Sequence, residues 1–364
     1  MYTLFDYLLW RGDLSMTAHP FNEIDGVILS RFAYMPFEMT SGLDSSATIG
    51  SVCRRLSRLP DLERRVMLHE DVRFLPAMAE SERFAPLPVF AYENTVDSVT
   101  QTQFCAMTIR LPNNVFCLSF RGTDNTLVGW KEDFNMSFVC PVPAQKSAVQ
   151  YLEKVASMTD GRLIVLGHSK GGNLAVYAAA ACSRNVQKRL ISVYNFDGPG
   201  FDETLLATEG YRAICKKIAT FVPQSSVIGL LLGHEESFTV VHSAQTGIMQ
   251  HDTYSWTVMR DRFKYVDTVT QSSKYLDYTL KAWLAAMSPD ARAAFVDTIF
   301  KILSETNAKT FRELGENWFV FARSALRSFN SLDDETRAML SRAFTSFWRC
   351  AKDSFGKALL SEKG

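Results

Sequence analysis

The sequence predicts an α/β protein with a mostly parallel central sheet, because short apolar segments alternate with helical segments over residues 86–256. Residues 1–85 are rich in helical patterns. Residues 257–364 contain few glycines and prolines and are predicted to be helical throughout. We therefore expect a helical N-terminal segment packed on the core, the α/β core itself, and a helical C-terminal region that forms a cap, a lid or a bundle.

The predicted strands follow one another along the core, each bounded by turn residues or by a helix. The first two, Gln101–Arg110 and Val115–Phe120, flank the turn Pro112-Asn113-Asn114. After a helix over 144–158, Arg162–Leu166 is a short apolar run that is typical of a buried strand. An alanine-rich helix over 172–182 follows. The remaining strand candidates are Ile191–Phe196, Lys217–Val222 and Phe238–His242.

Composition excludes several classes of protein. Of the 364 residues, 47% are hydrophobic and 21% are charged, which argues against a disordered chain. The 39 basic and 39 acidic residues balance, so we expect no nucleic-acid partner. The seven cysteines include no C-x-x-C pair, so we expect neither a disulfide framework nor a metal site. We also expect no cofactor. The N-terminus lacks the basic and apolar regions of a signal peptide, and we expect a cytoplasmic location.

A candidate nucleophile lies in Gly167-His168-Ser169-Lys170-Gly171, which fits G-x-S-x-G. The motif follows the predicted strand 162–166 and precedes a predicted helix, which is the setting of a nucleophile elbow. Glycines are needed there because the turn is sharp and the serine backbone is strained. The Ser169 hydroxyl is then held at the end of a strand. The backbone N–H of Lys170 would point to the position where an oxyanion forms.

A catalytic serine also needs a base and an acid, which follow it in this fold in the order acid, then histidine. His251 is the leading base because it lies in a loop after the last predicted strand; His242 and His234 are the alternatives. Asp197 is the leading acid because it directly follows the strand 191–196.

Three other carboxylates are rivals of Asp197. Glu235 and Glu236 precede the last predicted strand, and Asp252 adjoins the predicted base, which makes it a poor partner for that ring.

The second oxyanion donor is expected after the strand Val115–Phe120. There Gly122 allows a close approach of the backbone, and Thr123 can supply both an N–H and a hydroxyl.

Together these segments resemble the class 3 lipases, a branch of the α/β hydrolases. The resemblance rests on Phe120–Asp124, on Gly129–Phe134, on Gly167–Gly172 and on His251 followed by Trp256. It implies an α/β-hydrolase fold in which Thr123 is the oxyanion residue, Ser169 the nucleophile and His251 the base. Class 3 lipases carry their acid in a D-x-V-P-like segment, but the corresponding Pro223–Val227 contains no carboxylate. The acid is therefore placed at Asp197, as in the pancreatic-type lipases.

Most of the chain resembles a bacterial family of lipase-like proteins without an assigned substrate. The shared segments include Trp10–Leu14, Asn195–Gly200 and Gln250–Asp252. The resemblance implies a serine hydrolase of carboxylic esters that works through an acyl-enzyme with Ser169, Asp197 and His251. Its substrate would be a small acyl ester or a lipid. Thioesterase or acyltransferase chemistry would use the same residues, and a non-catalytic acyl- or protein-binding module is the alternative of another class.

The last helix is basic and amphipathic, with Leu340, Phe344, Phe347 and Trp348 near one face. Such a helix packs in a bundle or lies on an anionic membrane surface, and the sequence favours packing.

Overall fold

The protein contains a seven-stranded sheet whose strands lie side by side in the order in which they occur in the sequence. The computed structural model describes residues 1–39, 46–124, 126–136, 139–304, 327 and 329–361. The strands are β1 Val89–Asp97, β2 Thr102–Leu111, β3 Val115–Phe120, β4 Arg162–His168, β5 Leu190–Phe196, β6 Ile218–Pro223 and β7 Phe238–Val241. β2 and β3 pair antiparallel, and the pairs from β3 to β7 are all parallel.

Helices precede the sheet, connect its strands and follow it. Before the sheet come α1 Leu4–Arg11, α2 Glu23–Phe32, α3 Ile49–Leu56, α4 Leu62–Arg65 and α5 Glu70–Glu80. Between strands lie α6 Leu127–Asn135, α7 Pro143–Met158, α8 Lys170–Ala181, α9 Arg184–Arg189, α10 Glu203–Leu206 and α11 Glu209–Ile214. After the sheet come α12 Gln271–Ala285, α13 Pro289–Ser304 and α14 Asp334–Ser361.

The sequence predicted six of these strands to within a few residues, and the mostly parallel α/β sheet is confirmed. Residues 257–270 correct the expectation of a C-terminal region that is helical throughout. They contain a two-stranded hairpin, β8 Val258–Met259 and β9 Arg262–Phe263, and α12 starts only at Gln271. The hairpin is tied to the first residues of the chain, because Val258 N donates to the carbonyl of Tyr2 at 2.9 Å.

The chain divides into two compact units. The first comprises residues 1–95, 104–122 and 144–269, and the second comprises 96–103, 123–143 and 270–364. The expected three-part division at residues 85 and 256 remains a prediction.

Two apolar layers cover the sheet of the first unit. One contains Val27, Ile28 and Phe32 of α2 together with Ile164 and Leu166 of β4. The other contains side chains of α7 and α8 packed on Leu163 and Val165 of β4. Because both faces of the sheet are buried, its central strands read as continuous apolar runs.

The second unit has its own apolar cluster, formed by α13 and α14. Phe295, Phe300 and Leu340 are buried in it. On α12, the indole N–H of Trp283 donates to the Ala343 carbonyl at 2.9 Å. The described part of α14 therefore packs in a helical bundle. None of the helices described by the structure is both long enough and apolar enough to cross a membrane.

Polar residues near the N-terminus form a buried hydrogen-bonded network. The Arg83 guanidinium donates to the Asp25 carboxylate at 2.7 and 2.5 Å, and neither side chain is exposed to solvent. The Tyr7 hydroxyl donates to the same carboxylate at 2.9 Å and accepts from the Asn22 amide at 2.8 Å. This network joins α1, α2 and the segment that follows α5.

We predict that Arg83→Met lowers the free energy of unfolding by about 3–5 kcal/mol, because it leaves the Asp25 carboxylate buried without its cation. Urea unfolding of the full chain measures this, with the exposed Arg58→Met as matched control, expected within about 0.5 kcal/mol of wild type. Equal effects of the two substitutions would contradict the assignment of Asp25 and Arg83 as a stabilising pair.

Candidate active site

Ser169 occupies a strained turn between β4 and α8. Its φ of 58° and ψ of −134° lie in a region that residues with a side chain rarely adopt, at a cost of about 1–3 kcal/mol. Its backbone N–H donates to the Phe196 carbonyl at 2.9 Å, which ties the turn to the end of β5. The Ser169 side chain does not cap α8, so its hydroxyl is not bound to the helix N-terminus.

Three glycines allow the backbone of α8 to pack directly against the sheet. A side-chain carbon on Gly167 would lie 2.2 Å from the backbone of Gly171. One on Gly171 would lie 2.2 Å from the Phe120 carbonyl oxygen, and one on Gly172 would lie 2.1 Å from Asn195 Oδ1. Any larger residue at these positions would push the helix away from the strands. The glycines of the motif are therefore required by packing around Ser169.

Asp197 follows β5, beside Ser169, because Phe196 pairs with His168 in the sheet register. It has a φ of 53°, and only 1% of the residue is exposed. Asp197 Oδ2 lies 2.6 Å from His251 Nδ1, and Asp197 Oδ1 accepts from the Ser226 hydroxyl at 2.5 Å. Both carboxylate oxygens therefore have hydrogen-bond partners, and one of these is the predicted base.

Ser226 was not singled out by the sequence. It lies in Pro223–Val227, the segment after β6 in which the class 3 pattern leads one to expect a carboxylate. The structure shows that this segment contributes a hydroxyl that binds Asp197 instead. The backbone N–H of Gly229 also donates to Ser226 Oγ at 3.1 Å, which fixes that hydroxyl.

The loop that carries His251 is fixed at several points. The indole N–H of the fully buried Trp256 donates to the Gln250 carbonyl at 2.8 Å. Gln250 in turn accepts from Ser225 N at 2.7 Å and donates to the Gln245 carbonyl at 2.8 Å. The His251 side chain is 26% exposed, so one edge of the base reaches solvent while the other faces Asp197.

His168 packs directly against the predicted base. The two imidazole centroids are 4.5 Å apart, and His168 Nε2 lies 2.8 Å from the His251 carbonyl oxygen. Burial lowers the pKa of His168 well below its usual value, and the nearby charges of His251 and Arg31 lower it further. The sequence placed His168 inside the nucleophile motif but gave no sign of this contact.

The alternative bases take part in other contacts. His242 Nδ1 lies 2.9 Å from the Thr257 hydroxyl, and burial together with Lys264 lowers its pKa. His234 lies between Glu236 and the Gly229 carbonyl, at 3.0 and 2.8 Å.

The rival acids are also engaged away from His251. Glu236 is buried and accepts from Tyr211 and from Thr220, the latter at 2.6 Å. Glu235 lines a surface cavity of about 410 Å³ beside α10 and α11. Asp252 accepts from Tyr254 N at 3.0 Å. Of the four carboxylates considered, Asp197 is the one that contacts the His251 ring.

The candidate oxyanion donors follow β3 and open α8. A side-chain carbon on Gly122 would lie 3.2 Å from Ser169 Cβ and 2.1 Å from Tyr34 Oη, so the Gly122 backbone adjoins the nucleophile. Lys170 is the first residue of α8 and directly follows Ser169. Thr123 begins the next stretch of the second unit, and its hydroxyl donates to the Asp133 carboxylate. Among the described residues, no group of three or more His, Cys, Asp or Glu side chains could hold a metal ion.

A mostly parallel sheet with a strained serine between strand and helix, and an aspartate–histidine pair after later strands, defines a lipase-like α/β hydrolase. The match of a family model to residues 78–301 shows that the chain belongs to the Mbeg1-like family. The predicted fold class is confirmed.

Solved structures that are similar to the chain include two lipases. One is M37 lipase, at 13% identity and a TM-score of 0.34, covering 56% of this chain and 67% of that one. The other is a triacylglycerol lipase from Penicillium expansum, at 11% identity and a TM-score of 0.32, covering 50% and 81%. No curated protein sequence matches the chain.

The buried Glu236 carboxylate is held in its charged form by its hydrogen-bond partners. Burial raises the pKa of Glu236, but His234, Thr220 and Tyr211 together outweigh it and lower the pKa to about 2. A depressed carboxyl pKa contributes stability that is present above the ordinary value of 4.5 and is lost as the pH falls toward 2. Each unit of depression corresponds to about 1.4 kcal/mol.

We expect Glu236→Gln to destabilise the chain at pH 7 and to reduce the loss of stability between about pH 5 and pH 2. Urea unfolding of both proteins at several pH values tests this, with the exposed Glu235→Gln as matched control. Parallel pH curves for wild type and Glu236→Gln would rule out the assigned pKa shift.

Proposed function

We propose that the protein is a serine hydrolase that cleaves a carboxylic ester through an acyl-enzyme. The observation that carries the proposal is the 2.6 Å contact between His251 Nδ1 and the buried Asp197 carboxylate, beside the strained Ser169 turn. Because Nδ1 faces the carboxylate, the neutral imidazole has its proton on Nδ1 and its lone pair on Nε2. A base with its lone pair on Nε2 is what removal of the serine proton requires.

In the proposed reaction, Ser169 Oγ attacks the ester carbonyl while His251 Nε2 takes the hydroxyl proton. Asp197 stabilises the imidazolium that forms. The backbone N–H of Lys170 stabilises the oxyanion, and one such donor contributes about 10²- to 10³-fold to the rate in enzymes of this kind. His251 then protonates the leaving alcohol, and the acyl group remains on Ser169. Water, activated by His251, releases the acid.

An acyl ester or lipid substrate is supported by two exposed apolar side chains next to the base. Ile248 and Met249 are 62% and 60% exposed and lie in the short helix Gly247–His251. An acyl chain bound near His251 would cover apolar surface there, which is favourable in water. Thioesterase and acyltransferase reactions would use the same residues, so Ser169→Ala should abolish them as well.

A fluorophosphonate probe, read by intact mass, tests the proposal. We expect a single adduct on wild type and none on Ser169→Ala. His251→Gln and Asp197→Asn should slow labelling by about 10²- to 10⁴-fold, because each impairs general-base catalysis. Glu235→Gln is the matched control for Asp197→Asn and should label like wild type.

Absence of labelling in folded wild type, both with and without detergent, would contradict the proposal and favour a non-catalytic binding module. An adduct that persists in Ser169→Ala would place the nucleophile elsewhere.

We also propose that the C-terminal helix contacts a membrane surface. The support is that Phe344 and Trp348 of α14 are 50% and 71% exposed, near Arg342 and Arg349. An aromatic and basic surface of this kind suits an anionic bilayer.

Wild type should co-sediment with phosphatidylglycerol vesicles, and Trp348→Ser should lose most of this binding. The exposed Tyr278→Ser of α12 is the matched control. Equal binding of all three proteins would rule out this contact.

A further inference from the structure

A buried set of hydrogen bonds connects the N-terminal segment to the backbone of His251. His168 Nε2 lies 2.8 Å from the His251 carbonyl oxygen. Because a carbonyl only accepts, this nitrogen carries the proton. On the other side, the Tyr34 hydroxyl lies 3.2 Å from the His168 carbonyl oxygen and 3.4 Å from His168 Nδ1.

The protonation state of His168 follows from its surroundings. Burial lowers the pKa of His168 well below its usual value, and the ring is therefore neutral near pH 7. A neutral ring with its proton on Nε2 has a lone pair on Nδ1, and that nitrogen faces Tyr34. The Tyr34 hydroxyl donates its proton to the His168 carbonyl, so Tyr34 fixes the backbone that carries this ring.

A buried ion pair contacts both Tyr34 and the loop that carries His251. Arg31 of α2 donates to Asp71 of α5 at 2.8 Å, and both side chains are almost fully buried. The Arg31 guanidinium lies 4.7 Å from the centre of the Tyr34 ring. The Tyr254 hydroxyl, three residues after His251, donates to Asp71 at 2.8 Å. The N-terminal segment therefore contacts the His168 ring through Tyr34 and the loop that carries His251 through Asp71.

We propose that Tyr34 and His168 are positioning residues for the His251 base, so that the N-terminal segment is part of the catalytic apparatus. This rests on the proposed function. The hydrogen bond from His168 fixes the His251 backbone, and the ring contact fixes the plane of its imidazole. Outer partners of this kind contribute about 10- to 100-fold to activity in metal sites, and a base displaced by about 1 Å loses a comparable factor.

Two substitutions at His168 separate the hydrogen bond from the packing. Met fills a similar volume without a donor, whereas Gln retains an N–H near the position of Nε2. With p-nitrophenyl butyrate and the full chain, we expect His168→Met to lower kcat by about 10- to 100-fold with little change in KM. His168→Gln should recover most of that loss. Tyr34→Phe, which removes only the hydroxyl, should lower kcat by about 2- to 10-fold.

Several outcomes would overturn the proposal. A wild-type kcat in His168→Met, an effect confined to KM, or equal losses in the Gln and Met variants would each show that His168 does not position the base through its donor. Thermal unfolding midpoints close to that of wild type establish that the variants are folded.

A structural measurement keeps the test decisive if His168→Met does not fold. Long-range ¹H–¹⁵N spectra of wild type should show His168 neutral at pH 7 with its proton on Nε2. A proton on Nδ1 would refute the proposal. If wild type neither labels with fluorophosphonate nor hydrolyses the ester, the proposed function fails, while this spectrum still tests the geometry of Tyr34 and His168.

Discussion

Backbone contact between the first turn of α8 and the ends of β3 and β5 is the constraint on which the site depends. Gly167 and Gly171 of the motif, and Gly172 after it, leave no room for a side-chain carbon, which would lie 2.1 or 2.2 Å from backbone or amide atoms. This approach forces Ser169 into a positive φ and holds it where the following strands end. Because parallel strands end at the same edge, the residues after β5, β6 and β7 then lie next to the serine.

The Asp197 carboxylate lies at this edge of the sheet, directly after β5. It is buried, and its two oxygens bind His251 and Ser226. A carboxylate in this environment would be costly without such partners. The segment after β6, which resembles the acid-bearing segment of class 3 lipases, supplies the Ser226 hydroxyl in this chain. In this chain the carboxylate thus follows β5, and the hydroxyl that binds it follows β6.

The sequence predicted the sheet well because its central strands are short apolar runs between turn residues and helices. β3 was predicted at its observed limits, and β4 to β7 to within two residues. β1 was missed because Val89–Asp97 is half exposed and contains Glu93 and Asn94, which are poor strand formers. The hairpin at Val258–Phe263 was missed because strands of two residues have no periodicity to detect.

The contacts between distant residues could not be predicted in the same way. Ser169, Asp197 and His251 were predicted as site residues from a local motif and from their order along the chain. The contacts of Tyr34, His168 and Ser226 join residues that are far apart in sequence, and no local pattern predicts these contacts. Tyr34 and His168, for example, are separated by 134 positions. One signal was available for Ser226, since it lies where the resembling family carries a carboxylate.

Trapping of the acyl-enzyme tests the central claim most directly. Rapid acid quench of the full chain with p-nitrophenyl butyrate, followed by peptide mass analysis, should find a butyryl group on the peptide that contains Ser169. The adduct should form before steady-state product release and should be absent in Ser169→Ala. Ester hydrolysis without an acyl adduct, or an adduct on another peptide, would contradict the assignment of Ser169 as the nucleophile.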